Sequence, residues 1–287
     1  MRLVIMEMNF RTIVDIPKAN FEIPPCEEML FVGSCFADNI GQRFEQEQFR
    51  VTVNPFGVMY NPISIFHTIE KLPVNTMFSV AILTLGTNHI YRLKETNEVV
   101  DNCAKRPQSL FREEEMSVDE CAEYLLKSIN LLRDKNPNVK VILTVSPIRY
   151  AKYGFHGSQL SKATLLLAIS QVISQSTHSE NIIYFPAYEI INDELRDYRF
   201  YKEDMLHPSD QAVEYIYQRF SDTFFGKETF RFLKEWKPIK EALGHRPFHP
   251  DSEEHRLFVK KTWQMIHELA LKYPTLPIVT KNKDFET

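Results

Sequence analysis

A chain of 287 residues that is 44% apolar and 25% charged is long enough to bury a substantial core and too apolar to be largely disordered. Its net charge of −4, with no Lys/Arg cluster beyond a few residues, gives no footprint for a polyanion, so no nucleic-acid partner is expected. The four cysteines, Cys26, Cys35, Cys103 and Cys121, form no C-x-x-C pair, which argues against a zinc knuckle or a disulfide framework and for free thiols in a reducing compartment.

No stretch reaches the ~20 apolar residues of a membrane span. The apolar run in residues 1–7 is too short for a signal peptide and meets Glu7 at once. A soluble cytoplasmic protein without a membrane partner is expected, with Met6 and Met8 as alternative starts.

In chain order, residues 9–27 carry Ile16-Pro17 and Pro24-Pro25 and read as an extended lead-in on the surface. Residues 29–33 form a strand that turns at Gly33 into Ser34. Phe36, Ile40 and Phe44 then recur at four-residue spacing on one helical face. A short strand at 51–53 enters residues 54–62, where Asn54-Pro55 and Asn61-Pro62 frame Gly57 and predict a fixed, non-repetitive loop. Residues 78–85 read as a strand covered on both faces, ending at Gly86-Thr87-Asn88. Residues 89–102 alternate weakly, as in a small hairpin or bent excursion.

A helix is predicted from Ser117 to about Asp134, with Val118, Cys121, Leu125, Ile129 and Leu132 on one stripe and a capping box from Ser117 to Glu120. A strand at 139–145 stops at Ser146-Pro147. A Gly-containing loop at 153–158, a helix at 159–176 and a strand at 182–185 follow, the last stopped by Pro186. Alternating strands and helices predict an α/β fold with a parallel central sheet and helices on both faces, whose sites form beyond the carboxyl ends of the strands. Residues 226–243 and 252–273 read as two amphipathic helices separated by 244–250. The expected organisation is therefore an α/β unit over 1–225 and a helical extension over 226–287.

Ser34 stands between a strand and a helix, where free backbone N–H groups can face an anion. Its hydroxyl is a candidate nucleophile, or else only the helix cap. The partner a nucleophile needs occurs in Asp204-Met205-Leu206-His207-Pro208-Ser209. Pro208 holds His207 out of helical conformation, and an acid three residues before it can orient the imidazole as a base. The same pair also fits a surface hydrogen bond at a helix entry. Candidate oxyanion donors are the N–H of Ser34, the N–H of Gly57 and the amide of Asn88. A plain turn glycine and a loop-stabilising asparagine are the alternatives for the last two.

Gly33-Ser34-Cys35-Phe36-Ala37 resembles the signature of the GSCFA family. Asn54-Pro55-Phe56-Gly57, Tyr60-Asn61-Pro62, Ser161-Lys162-Ala163-Thr164, Asp197-Tyr198-Arg199-Phe200-Tyr201 and the Asp204 to His207 block resemble further segments of it, over about residues 20–250. That family looks like a branch of the SGNH (GDSL-like) hydrolases. The resemblance implies a flavodoxin-like three-layer α/β/α sandwich and hydrolysis of carboxylic esters of acetyl or other acyl groups. It implies Ser34 as nucleophile, Asp204 and His207 as acid and base, and Gly57 and Asn88 as donors. Gly33-Ser34 lacks the Asp of a G-D-S start, and His89 stands where G-x-N-D has its Asp, which keeps Asn54 and Asn61 as substitutes for Asn88.

The expected activity is a metal-independent serine esterase without cofactor, acting on a small-molecule or carbohydrate acyl ester. The same triad would serve an acyltransferase, and a non-catalytic binding or assembly protein on this fold is the reading from another class. Cys35 is a second nucleophile candidate, because a helix N-terminus lowers a thiol pKa. Against it, the next residue in a turn generally points elsewhere and free cysteines are usually buried. His245 and His249 could share a helical face as metal ligands, but Pro247 breaks that helix and His255 adds no recognised spacing. Arg149, Lys162, Arg199 and Tyr201 are candidates to line the mouth for an anionic or sugar-like substrate, or to serve as surface ion-pair partners.

Overall fold

The computed structural model describes residues 11–278 apart from 102, 104, 105, 177 and 178, so the run at 1–7 and its alternative starts lie outside the described residues. The first half of the chain alternates β1 (Glu28–Gly33), α1 (Cys35–Gln46), β2 (Arg50–Val53), α2 (Pro62–Glu70) and β3 (Val80–Leu85). An insertion of three short strands follows, β4 (His89–Leu93), β5 (Val99–Val100) and β6 (Phe111–Glu115). The alternation then resumes with α3 (Val118–Lys135), β7 (Lys140–Val145), α4 (Gly154–Gln175) and β8 (Ile182–Tyr184). It closes with α5 (Ala187–Glu189), which runs on as a π turn over Ile190–Glu194, then α6 (Asp210–Phe224), α7 (Lys227–Leu243) and α8 (Glu253–Lys272).

The central sheet has the order β2-β1-β3-β7-β8, and every neighbouring pair is parallel. Counted by its own strands the order is 2-1-3-4-5, so the connections leaving β1 and β3 part to opposite faces and open a crevice at the carboxyl edge between them. Successive side chains of a strand point to opposite faces, and both faces here are covered. Leu30, Val32, Ala81, Leu83, Val141 and Leu143 pack with residues of α2, α3 and α4. Met29, Phe31, Val80, Ile82 and Ile142 pack with residues of α1 and α6. On that second face the Phe44 ring meets Phe31, Phe49, Tyr217 and Phe220 at centroid distances of 5.0–5.3 Å. The parallel sheet with helices on both faces expected from the alternation, and the three-layer α/β/α sandwich implied by the family resemblance, are thus the fold.

Local chemistry explains the elements. Ser117 accepts from the Glu120 N–H while Glu120 Oε2 accepts from the Ser117 N–H at 2.7 Å, the reciprocal cap its sequence predicts. Four expectations change. Pro62 opens α2 under an Asn61 cap instead of closing a loop. The excursion at 89–102 acquires a third strand from the charged stretch Phe111–Glu115, so that β5-β4-β6 forms a separate antiparallel sheet. The glycine loop at 153–158 is already helical from Gly154. The lead-in is also more than surface wrapping, since Ile23 and Cys26 are buried and the Ile23 N–H donates to Phe224 O at 2.8 Å.

The C-terminal helices build a core of their own around Phe232, Trp236, Ile239, Ile266 and Leu269. It docks on the end of α1: the Trp236 indole donates to Gln46 O at 2.9 Å, Lys240 pairs with Glu47 at 2.6 Å, and the Ile278 N–H donates to Gln48 Oε1 at 2.8 Å. Among the described residues no helix is long and apolar enough to cross a membrane.

Trp236 is 2% exposed, so Trp236→Ala removes a large apolar side chain and leaves a cavity at this junction. A loss of about 3–5 kcal/mol is expected, measured as a lowered denaturation midpoint. An unchanged midpoint would contradict the docking described.

Candidate active site

The carboxyl edge of the sheet begins with a close approach of two strands. Gly33 has φ +144, and a Cβ there would lie 2.1 Å from Thr84 O, so only glycine fits. Ser34 follows as the cap of α1, with no exposed surface. Its Oγ accepts from the Phe36 N–H at 3.3 Å and sits 3.4 Å from Thr84 Oγ1. Its own N–H donates to Thr84, with O at 3.2 Å and Oγ1 at 3.1 Å. Cys35, the first residue of α1, is half-buried, and its Sγ stands 3.9 Å from Tyr60 Oη. Burial chiefly, with Cys35 beside it, pushes the Tyr60 hydroxyl up to about 12, so it stays protonated at neutral pH.

The loop at 54–62 is fastened at each end. Asn54 Oδ1 accepts from the Gly33 N–H at 2.8 Å and its amide donates to Asp38 at 2.6 Å. Asn54 O accepts from the Gly57 N–H at 2.8 Å, closing a turn in which Gly57 takes φ +95. Tyr60 O accepts from the N–H groups of Gly86 and Thr87, both at 2.8 Å. Asn61 Oδ1 caps α2 and its amide donates to His89 O at 3.2 Å. The loop is thus the fixed structure its two Asn-Pro pairs predict.

Asn88 is buried, with its amide donating to Met116 O at 2.8 Å and its N–H to Ser161 Oγ at 3.0 Å. It supports the junction of β4 and β6 with α4. All three expected oxyanion donors, the N–H of Ser34, the N–H of Gly57 and the amide of Asn88, therefore carry internal hydrogen bonds, as do the amides of Asn54 and Asn61.

The other half of the site is the turn before α6. Asp204 Oδ1 accepts from the N–H groups of Leu206 and His207 at 2.9 and 3.0 Å, and Oδ2 meets His207 Nδ1 at 2.6 Å. Those backbone donors first, and then the imidazole, hold the Asp204 carboxyl down to about 2. Met205 takes the left-handed conformation, φ 58, that folds the turn back on itself. With Nδ1 on the carboxylate, Nε2 is left to accept a proton. The turn is tied to the sheet edge by Arg149, whose N–H donates to Leu206 O and whose guanidinium donates to Met205 O, both at 3.1 Å. Asp204 and His207 thus adopt the expected pairing. Among the described residues, Ser34 Oγ and the His207 ring make no hydrogen bond to each other.

Between the halves sits a group of residues of which the sequence singled out Lys162 but not Tyr150. Tyr150, next to Arg149, packs its ring edge-on to Tyr60 with centroids 6.1 Å apart. Its hydroxyl is buried without a partner over Gly86, where a Cβ would lie 2.4 Å from it. Lys162 lies wholly buried below, donating to Gly86 O at 2.7 Å and Ser146 O at 2.8 Å, with Nζ 4.9 Å from the Tyr150 ring centroid. It is thus a clamp across the ends of β3 and β7 rather than a lining residue. Arg149 and Tyr201 line a separate shallow cleft of about 270 Å³, and Arg199 packs over Phe200 at 4.9 Å. His245 and His255 face the Phe258 ring at 5.3 and 6.3 Å. A cavity of about 370 Å³ adjoins the site, walled by Tyr60, Tyr91, Tyr150, Tyr153 and His89. There the His89 ring stacks on Tyr153 at 3.7 Å.

A parallel 2-1-3-4-5 sheet between two helical layers, with a capped strand-to-helix turn and an oriented Asp–His pair at its carboxyl edge, makes this a three-layer α/β protein. The chain belongs to the GSCFA family: the family's model matches residues 28–79 and 74–220, and that of the GSCFA domain protein, C-terminal domain, matches 236–287. Solved structures similar in architecture include a carbohydrate esterase family 3 from Talaromyces cellulolyticus, at 14% identity and a TM-score of 0.43, covering 73% of this chain and 99% of that one. A family 3 carbohydrate esterase of Clostridium thermocellum is 12% identical with a TM-score of 0.41, over 76% and 99% of the two chains. An acetyl xylan esterase from Butyrivibrio proteoclasticus is 8% identical with a TM-score of 0.40, over 73% and 64%. No curated protein matches the sequence.

Burial lowers the Lys162 ammonium from its ordinary 10.5 to about 7. A neutral amine has two N–H groups, which match the two carbonyls it binds. Between about pH 7 and 10 the unfolded chain then holds a proton the folded one has released, so stability rises with pH across that window. Lys162→Met is expected to lack this rise. Denaturation midpoints of the two proteins that run parallel from neutral to alkaline pH would contradict it.

Proposed function

We propose that this protein cleaves a carboxylic ester by acyl transfer to itself and then to water, in the manner of the SGNH-type hydrolases its motifs resemble. The observation that carries the reading is the Asp204–His207 pair, with 2.6 Å between carboxylate and Nδ1, at the carboxyl edge of a parallel sheet. A nucleophile from the turn after β1, where Ser34 and Cys35 stand side by side, attacks the ester carbonyl. His207 Nε2 takes its proton and returns it to the leaving alcohol, and Asp204 holds the ring in the required tautomer. Water completes the cycle by the same base.

The 370 Å³ cavity beside Tyr60 and Tyr150 supports a ring-bearing alcohol as the substrate's other half, since aromatic walls offer flat apolar faces to such a ring. An acylated saccharide has this chemistry.

The reading is tested by alcohol release from 4-nitrophenyl acetate and from a panel of acetylated saccharides. His207→Ala is expected to lower kcat/KM by roughly 100-fold or more, the usual contribution of a positioned base. Asp204→Asn is expected to fall in the same direction with its fold intact, because the carboxamide no longer fixes the tautomer. Equal rates for wild type and His207→Ala on every ester would remove the proposal.

A further inference from the structure

We propose that the attacking group of this site is the thiol of Cys35, with the Cys35 backbone N–H as a donor to the tetrahedral oxyanion. The inference rests on the acyl-transfer reading and decides which side chain of the β1–α1 turn carries it.

Three observations converge. Ser34 is in the wrong place to react: it has no exposed surface, its hydroxyl is turned to Thr84 and the Phe36 N–H, and its own N–H is engaged by Thr84. Its position is that of a cap under the helix, with β3 packed against it. One residue on, Cys35 begins α1 and stands half-buried with its sulfur toward Tyr60 Oη. The first N–H groups of a helix have no intrahelical acceptor, and Cys35 N–H finds none elsewhere among the described residues. It is left open while the N–H groups of Ser34 and Gly57 are engaged and the Asn88 amide is turned to Met116 O. The neutral Tyr60 hydroxyl, 3.9 Å from the sulfur, can donate to it as it attacks.

The third observation is independent of the cysteine. Tyr150 Oη is buried with no partner beside Tyr60 and over the end of β3, a polar atom prepared for an oxygen the protein itself does not provide. The backbone next to it, at Arg149, holds the Asp204–His207 turn through Leu206 O. One short segment therefore presents a hydroxyl to the Cys35 side and anchors the base on the other.

The chemistry balances without a further reactant. The Cys35 S–H proton passes to His207 Nε2 as the S–C bond forms, and the ester C–O bond breaks as that proton moves to the alkoxide. A thioester on Cys35 and a free alcohol result. Water then gives a proton to His207 and its oxygen to the acyl carbon, releasing the carboxylic acid and restoring the thiol.

The test uses the full chain in two arms. In the first, alkylation by iodoacetamide at neutral pH is mapped by mass spectrometry. Cys26 and Cys121, whose thiols burial pushes up to about 12, serve as internal slow references. Cys35 is expected to react at least about tenfold faster than they do, and to lose most of that advantage in His207→Ala. In the second arm, 4-nitrophenyl acetate is quenched in acid and the acyl group located. The acyl group is expected on the Cys35 peptide, labile to hydroxylamine, in wild type and in Ser34→Ala, with Cys35→Ala carrying none and losing turnover at least about a hundredfold. Cys35 alkylated no faster than the buried thiols, or an acyl group that survives Cys35→Ala and is lost in Ser34→Ala, overturns the proposal while leaving ester cleavage standing. A protein inert to every ester whose Cys35 is still singled out in a His207-dependent way removes the ester reading and keeps the nucleophile.

Discussion

The approach of β1 to β3 at Gly33 governs the rest of the molecule's working end. A side chain there would collide with Thr84 O at 2.1 Å, so the strands can lie this close only because residue 33 has none. The consequence is that the chain leaves the sheet directly into a helix, with Ser34 sealed beneath and Cys35 on the outer side. From the same point the Gly33 N–H reaches Asn54 and fixes the following loop, and that loop in turn carries Tyr60 to the sulfur. Close backbone contact at one glycine thus sets the positions of a thiol, a phenol and a helix N-terminus at once.

The opposite side of the crevice is built from backbone hydrogen bonds rather than apolar packing. The Asp204 turn is exposed and takes its shape from its own carboxylate and from Arg149. A site assembled from one buried, over-determined half and one solvent-facing, self-bonded half has unequal tolerance to change. The first half tolerates little alteration in volume, whereas the second depends on polar groups whose loss is local.

Much of the fold was legible from periodicity: four of the five parallel strands are largely apolar runs ended at or within two residues by Gly or Pro, and the Ser117–Glu120 box marks the start of α3. The features that periodicity does not display are polar or aromatic. Phe111–Glu115 pairs with β4 across alternating charges, Arg92 with Glu114 among them, and such a strand has no apolar period to betray it. Lys162 reads as a mouth-lining or surface cation because lysines almost never bury without a partner, and its partners are backbone carbonyls, which sequence does not display. Within the site, Asp204 and His207 were readable because three residues of chain bring them together. The division of roles between Ser34 and Cys35 was not, since adjacent residues at a turn differ only in which way each side chain leaves the backbone.

The docking of the C-terminal helices on the far end of α1 has a mechanical side. That helix is held at its start by Thr84 and Asn54 and at its end by Trp236, Lys240 and the chain at Ile278. Its 12 residues span about 18 Å at 1.5 Å per residue, and such a rod, clamped at both ends, transmits displacement along its axis with little give. The extension therefore behaves as a back-stop: by fixing the length and tilt of α1, it sets the depth to which the first turn of the helix projects into the crevice. Sequence drift in the extension is in this way geared to the carboxyl edge of the sheet.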